Sequence, residues 1–364
     1  MPSPVQINCF FEFASQQLDH LLASHPDRFP MYTTQGKWDV HGKSWTNWCE
    51  GFLCGQLWLL YQHTNEPTWR EKAEHYCRLI EPRKIDRTVH DLGFLFWPSW
   101  KRWNDLSGDS AQNAVVIQAG KTLALRYQEK GGYLCSFLGE DSLFIDIMMN
   151  VGIIFYAASQ LGDSNLARIA HQHCMTTRKC LVRGDGSTAH EGIFDLQTGQ
   201  FLRQSTQQGW RSDSSWARGL SWALYGFSTV YEMTADARFL ATAELCAGYY
   251  LEHTPQHGVP PNDWDEPHPT IPFESSAAAI AASGLLDLAR LCPDADRSKR
   301  YHQASLRILD TLCTPEFLAV STPGWEGLLK HGIYHQRKGL GVDESVMWGD
   351  YFLMEAMSKV SHDQ

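Results

Sequence analysis

Several segments of helix length in this chain are apolar on nearly every side. Phe52-Leu53-x-x-Gln56-Leu57-Trp58-Leu59-Leu60 is one, and Met148 through Leu161 and Trp216 through Met233 read the same way. A helix that is hydrophobic all round has to be surrounded by other structure. After such segments a short polar turn recurs, followed by a charged, amphipathic segment. The turns are Thr64-Asn65-Glu66-Pro67, Gly162-Asp163-Ser164-Asn165, Thr234-Ala235-Asp236 and Pro293-Asp294-Ala295-Asp296, with Ser107-Gly108-Asp109-Ser110 as a fifth. They carry helix breakers and N-cap residues where a helix–turn–helix unit needs them. Their spacing is irregular, which excludes a strict-period solenoid. Inner helices that touch neighbours on all sides and outer helices that expose one face describe a double-layered ring. The expected fold is all-α, an (α/α)6 barrel of six helical hairpins, formed as one domain over residues 1–364.

Composition narrows the class. With 43% hydrophobic and 20% charged residues among 364, the chain can bury a large core. A formal net charge of −10 argues against nucleic-acid binding, which relies on a basic surface. Met1-Pro2-Ser3-Pro4 shows no basic region followed by an apolar run, so no secretory leader is read there. No apolar stretch approaches the roughly 20 residues that span a bilayer, so no membrane partner is expected. Cysteines at 9, 49, 54, 77, 135, 174, 180, 246, 292 and 313 form no Cys-x-x-Cys pair. They read as reduced core residues of a cytoplasmic protein, with neither disulfides nor a metal site. No cofactor is indicated. The 14 Trp fill core, and their faces also suit sugar rings.

Long irregular stretches, 29–44, 81–111, 131–142, 183–214, 254–274 and 320–343, are expected to gather at one rim of the ring. Loops of that length in a compact domain are usually functional. Two aspartates stand where such loops run into buried helices: Asp91 in His90-Asp91-Leu92-Gly93-Phe94, and Asp146 in Phe144-Ile145-Asp146-Ile147-Met148-Met149-Asn150. Desolvating a carboxylate is costly, so it rarely lies among apolar side chains unless paired or working. Burial raises its pKa and lets it hold a proton near neutral pH. Two such groups from distant parts of the chain suggest paired-carboxylate chemistry, the alternative being helix caps or partners of a buried Arg.

A third constellation lies mid-chain. Asp185-Gly186-Ser187-Thr188-Ala189-His190 is a turn leading to a histidine, followed by Gln208-Gly209-Trp210 and Ser214-Ser215-Trp216-Ala217-Arg218-Gly219-Leu220-Ser221-Trp222. With Ser214 or Ser215 as N-cap, Arg218 and Trp222 fall four apart on one helical face. A guanidinium beside an indole makes a seat for a sugar carboxylate; the alternative is a packing Arg that neutralises a buried acid. Trp48 reads as core or sugar platform. Asp343 and Glu344 read as the N-terminal cap of the last helix.

These strings resemble glycoside hydrolase family 88, the unsaturated glucuronyl hydrolases. The matching segments are His90-Asp91-Leu92-Gly93-Phe94, Ile145-Asp146-Ile147-Met148-Met149-Asn150, Ser215-Trp216-Ala217-Arg218-Gly219, and Gly341-Val342-Asp343-Glu344 with Trp348-Gly349-Asp350-Tyr351. The resemblance runs from about Trp45 to Phe352, in the family's order. It implies an (α/α)6 barrel, metal-free and cytoplasmic, that acts downstream of polysaccharide lyases on a 4,5-unsaturated uronyl oligosaccharide. By this resemblance Asp146 is the acid/base that protonates C4 of the vinyl ether, and Asp91 assists it. Trp48, His90, Phe137, His190, Gln208, Arg218, Trp222 and Tyr334 are the implied substrate contacts. Phe137 stands where family members often carry Trp. The stretch Tyr334-His335-Gln336-Arg337-Lys338-Gly339-Leu340 does not reproduce a Ser- and Lys-containing pattern that some members associate with sulfated substrates.

Rival readings are an unsaturated rhamnogalacturonyl hydrolase, which shares fold and chemistry, and a non-catalytic sugar-binding barrel. The His-Asp-Leu-Gly-Phe string favours the glucuronyl branch, and the presence of both aspartates argues against a binding-only role. A sugar epimerase of similar shape would centre on paired histidines. The protein is expected as a monomer or weak homo-oligomer.

Overall fold

The uniformly apolar segment around Trp58 becomes a helix buried without interruption from Gly51 to Leu60, flanked by inner helices on both sides. The computed structural model describes residues 4–362, so Met1 to Ser3, where a leader was looked for, lie outside the described residues. In chain order the helices are α1 (Pro4–Ser24), α2 (Glu50–Thr64), α3 (Pro67–Ile80), α4 (Leu92–Phe96), α5 (Arg102–Ser107), α6 (Ser110–Ala124), α7 (Ile147–Asn150), α8 (Gly152–Leu161), α9 (Ser164–Leu181), α10 (Ala217–Thr234), α11 (Ala237–His253), α12 (Ser275–Leu291), α13 (Ala295–Leu312) and α14 (Met347–His362). Contacts close an inner ring of six, α14 to α2 to α4 to α7 and α8 to α10 to α12 and back to α14. Around it α3 packs on α2, α6 and α9 on α8, α11 on α10 and α13 on α12, while α1 spans α14 and α2. This is the expected (α/α)6 barrel.

The polar turns work as the sequence suggests. Asp109, Asp163, Asp236 and Asp294 are N-caps of α6, α9, α11 and α13, each accepting from backbone amides of the first turn, which satisfies donors that the helix leaves open. Gly108, Gly162, Asn65 and Ala235 end the preceding helices in the left-handed conformation, the usual way to close a helix C-terminus. The inner element that begins with α4 corrects the expectation that 81–111 is irregular. From Leu92 to Ser107 it is helical in three pieces, with a π-type stretch at Trp97–Lys101. Pro98 has no N–H to donate and interrupts the helical ladder, which makes a buried helix read as a loop.

Short antiparallel strands decorate one mouth of the ring: β1 (Thr33–Thr34), β2 (Lys37–Trp38), β3 (Tyr127–Gln128), β4 (Tyr133–Leu134), β5 (Ser142–Phe144), β6 (Glu191–Phe194), β7 (Phe201–Ser205), β8 (Gly332–His335) and β9 (Leu340–Glu344). β5, β6 and β7 form a three-stranded sheet in that order, and the others pair as hairpins. Asp343 and Glu344 therefore lie in a strand rather than capping the last helix. Glu344 instead accepts from Thr33 Oγ1, the Gln35 amide and the Gly36 amide, and Asp343 bonds His331 at 2.6 Å. All ten cysteines are free thiols, eight of them buried. No described helix is long and apolar enough to cross a membrane.

Candidate active site

The two aspartate motifs fold against each other. Asp91 sits immediately before α4 and Asp146 immediately before α7. The side chain of Asn150, fully buried, accepts from the Phe94 amide at 2.8 Å and donates to the Asp146 carbonyl at 3.1 Å. Gly93 lets the two starts approach: a Cβ there would lie 2.4 Å from the Asn150 Cα. Ile145, held by the His190 carbonyl through its amide at 3.0 Å, fixes the chain on the other side of Asp146. Two carboxyls far apart in sequence are thus carried on adjacent helix starts, tied by one amide side chain.

Both carboxyls are shielded from water. Burial pushes Asp146 up to about 7, against the opposing pull of the Arg218 cation. Burial also holds Asp91 well above the usual carboxylate range, and the neighbouring Asp146 charge adds to that. Each has a histidine at its side. His90 Nε2 lies 3.3 Å from Asp91 Oδ1, and His190 Nε2 lies 3.6 Å from Asp146 Oδ2. The His90 Nδ1 accepts from the Phe137 amide at 3.1 Å, and the His190 Nδ1 accepts from the Gln207 amide at 3.1 Å. A nitrogen that accepts carries no proton, so in the neutral rings Nε2–H faces the carboxyl in both cases. Burial holds both imidazoles well below their usual range, so the rings are neutral at pH 7. His190 Nε2 and Asp146 Oδ2 are buried and without a hydrogen-bond partner.

Trp45, Thr46, Trp48, His90, Asp91, Phe137, Phe144, Asp146, Gln208, Arg218 and Tyr334 line one cleft at the N-terminal ends of the inner helices. The structure thus brings together Asp91, Asp146, Trp48, His90, Phe137, Gln208, Arg218 and Tyr334, and sets His190 directly behind Asp146. Phe137 stacks on His90 with centroids 5.4 Å apart and meets Trp45 edge-on at 4.9 Å. Tyr334 accepts from the Trp45 amide at 3.0 Å, which leaves its own O–H free to donate. The walls leave about 20 Å³ between them, room for about one water.

Trp222 corrects the sequence reading. It is fully buried, packs on Phe94 at 4.9 Å and Phe352 at 5.5 Å, and is absent from the cleft wall. One helical turn carries it about 6 Å further into the barrel than Arg218, so the two share a helix face but not a surface. The indoles beside the guanidinium are Trp216 at 4.5 Å and Trp348 at 5.1 Å. Neither Ser214 nor Ser215 caps α10, whose N-cap is Trp216. Ser214 Oγ donates to Asp263 at 2.6 Å instead. Arg218 is only 1% exposed. It donates to the carbonyls of Ile333 and Tyr334 and to Gln208 Oε1, and Glu274 Oε2 lies 3.6 Å from its Nη1. With its carbonyl engaged by Arg218, Gln208 turns its amide N–H₂ away from the guanidinium. Asp350 is buried, accepts from the Leu328 and Leu329 amides at 2.8 and 2.9 Å, and takes no place in the cleft lining.

Sequence reasoning missed Trp45, Thr46 and Phe144 in the wall and Glu274 behind it. Only Trp45 left a signal, as an aromatic at the end of a long loop. Among the described residues no group of three or more His, Cys, Asp or Glu side chains is arranged to hold a metal ion.

Residues 23–244 match the model of Glycosyl Hydrolase Family 88. The chain is 32% identical over 330 residues to an unsaturated chondroitin disaccharide hydrolase of Streptococcus pneumoniae, covering 87% of this chain and 83% of that one. It is 30% identical over 350 residues to an unsaturated glucuronyl hydrolase of Bacillus sp. GL1, covering 93% and 92%. The crystal structure of unsaturated glucuronyl hydrolase from Streptococcus agalactiae superposes with a TM-score of 0.92 at 29% identity, covering 100% of this chain and 93% of that one.

Proposed function

Because the chain belongs to Glycosyl Hydrolase Family 88, it is a hydrolase that releases unsaturated glucuronic acid from oligosaccharides, and we propose that Asp146 and Asp91 carry its chemistry. The observation that supports this most directly is the pair of buried carboxyls on adjacent helix starts, one of them poised at about 7. A carboxyl with that proton affinity is half-protonated at neutral pH, where a general acid works best. His190 presents its N–H towards Oδ2, which leaves Oδ1 to carry the mobile proton.

The substrate's reacting group is a C4=C5 vinyl ether bearing a carboxylate. Asp146 delivers its proton to C4, and positive charge develops at C5, shared with the ring oxygen. The Asp146 carboxylate then takes a proton from the water that bonds to C5, giving a hemiketal. Cleavage of the bond from C5 to the ring oxygen makes the 5-ketone and leaves a hemiacetal at C1, which expels the shortened sugar. Asp91, beside His90, orients the ring against Asp146, and burial keeps the Asp146 proton in place until C4 takes it. Gln208, Tyr334 and Arg218 supply donors to the uronate, and Trp48 and Phe137 supply faces for the ring.

The closed ring of helices supports reading residues 1–364 as one catalytic domain, and the unpaired thiols support a cytoplasmic setting. The lyase product is expected as substrate; the parent polysaccharide is chosen by the test. Loss of the enol-ether carboxylate's ultraviolet absorbance is followed over lyase-generated glucuronyl and galacturonyl disaccharides in heavy water. Absorbance loss on glucuronyl substrates with deuterium at C4 is the expected result. No loss on any glucuronyl substrate by the folded protein would overturn the assignment.

A further inference from the structure

Glu274 is fully buried and takes no place in the cleft wall, yet its carboxylate is among the most heavily used polar groups near the site. Oε1 accepts from the Ser276 amide at 3.2 Å, Ser276 Oγ at 2.7 Å and the Ile333 amide at 3.1 Å; Oε2 accepts from the Ala277 amide at 3.0 Å. It therefore fastens the start of α12 to β8. The same Oε2 lies 3.6 Å from Arg218 Nη1. The carbonyls of Ile333 and Tyr334, which Arg218 grips from the other side, belong to that same strand. Arg218, Glu274 and β8 thus form a closed triangle, and Arg218 in turn holds Gln208 at 2.7 Å.

An N-cap needs one or two accepting oxygens, and Asp, Asn, Ser or Thr supply them with a shorter side chain. A glutamate here reaches past the cap to a cation. Among the described residues the other carboxylate that acts on that buried guanidinium is Asp146, and its remaining close partners are backbone carbonyls, an amide, Tyr334 and two indoles.

We propose that Glu274 is a positioning residue of the hydration reaction: it clamps Arg218, so that the guanidinium and Gln208 keep their cleft-facing edges and the cation does not close on Asp146. The inference rests on the catalytic reading above. The charged and titratable groups facing Asp146 are Arg218 from α10, His190 from the loop before β6 and Asp91 ahead of α4. Those facing Arg218 are Glu274, Asp146, Tyr334, and the imidazoles of His190 and His335.

Glu274→Gln keeps the side chain's size and removes its charge. With the clamp gone, the uncompensated cation favours ionised Asp146, so the alkaline limb of kcat/KM is expected to move down by about one pH unit, and KM to rise about tenfold as Gln208 and Arg218 lose their fixed edges. Glu274→Asp, which restores the charge, should return the limb while KM stays raised. A limb and KM equal to wild type in folded Glu274→Gln would overturn the proposal and leave only a helix cap. Should Glu274→Gln not fold, the double variant Glu274→Gln/Arg218→Met decides. Recovered folding supports the pairing of these two charges; continued failure shows that the cap alone matters and overturns it. A wild-type protein inactive on every unsaturated uronide would instead count against the catalytic reading, a separate outcome.

Discussion

Replacing Asp146 by Asn should make the protein more stable, and by an amount that grows with pH. The carboxyl's ordinary value is 3.8 and burial lifts it to about 7 in the folded chain. Below pH 4 both folded and unfolded chains keep the proton, and the residue contributes no pH dependence. Between pH 4 and 7 the unfolded chain releases the proton while the folded chain retains it. Folding is then opposed by about 1.4 kcal/mol for each pH unit. Above pH 7 the opposition levels off, at about 4 kcal/mol for a shift of about three units. The side chain is 13% exposed, so this figure is an upper one. Asn has no proton to release and escapes the penalty, and Asp91, relieved of a neighbouring charge, adds to the gain.

Thermal or urea unfolding of both proteins from pH 5 to 8.5 reads the difference directly, since every other titrating group is common to both. The variant's advantage should widen from about 1–2 kcal/mol at pH 5 to about 4 kcal/mol at pH 8. For a chain of this length that corresponds to roughly 5 °C in Tm. Turnover should be nearly abolished while substrate binding remains measurable. A difference that stays flat across this range, or a variant less stable than wild type at pH 8, would refute the claim that Asp146 is a desolvated, proton-holding acid.

Gly93→Ala would drive a methyl to 2.4 Å from the Asn150 backbone and part the two aspartate-bearing helix starts. A fall of about a hundredfold in kcat is expected, with helix content by circular dichroism retained. Trp222→Phe should lower stability by about 1–2 kcal/mol through lost packing and leave KM unchanged, as fits a residue inside the barrel. Activity should decline above about pH 7 as Asp146 loses its proton, and the limb for kcat should lie above that for kcat/KM, because the bound uronate adds a negative charge beside the acid.

Much of the fold was legible because it rests on local rules. Aspartates 109, 163, 236 and 294 cap outer helices as their turns suggest, and uniform apolarity marked α2 as inner. The reading failed where a local rule met a tertiary override. Pro98 and Gly93 punctuate Leu92–Ser107 as a loop would, yet neighbours on all sides hold that stretch helical. Asp343 and Glu344 look like a cap, but backbone pairing with β8 claims them for a strand. At the site, carboxyls in apolar strings were conspicuous because burial of charge is rare. Trp222 was misplaced because helical spacing gives a face and not a depth. Glu274 was invisible because nothing in Phe273-Glu274-Ser275 says that a cation 56 residues earlier will be its partner.

The site resolves an apparent conflict between a chain of net charge −10 and an anionic substrate. Long-range charge sets steering at the surface, whereas binding in a desolvated cleft depends on the groups that line it. His90 and His190 are held neutral by burial, and His335 is pushed down to about 4. Asp91 and Asp146 are both raised and carry few charges between them at neutral pH. The Arg218 cation is opposed by Glu274 at 3.6 Å. The cleft is thus nearly uncharged, lined with donors and aromatic faces. An unopposed cation, free of its clamp, would lose its fixed edge towards the uronate and would strip the proton from Asp146, since each pH unit of pKa lowering costs the acid about 1.4 kcal/mol of proton affinity. Recognition by hydrogen bonds and stacking keeps the two demands apart. A bound carboxylate then adds the one negative charge that the cleft lacked, and that charge strengthens the acid's hold on its proton until C4 takes it.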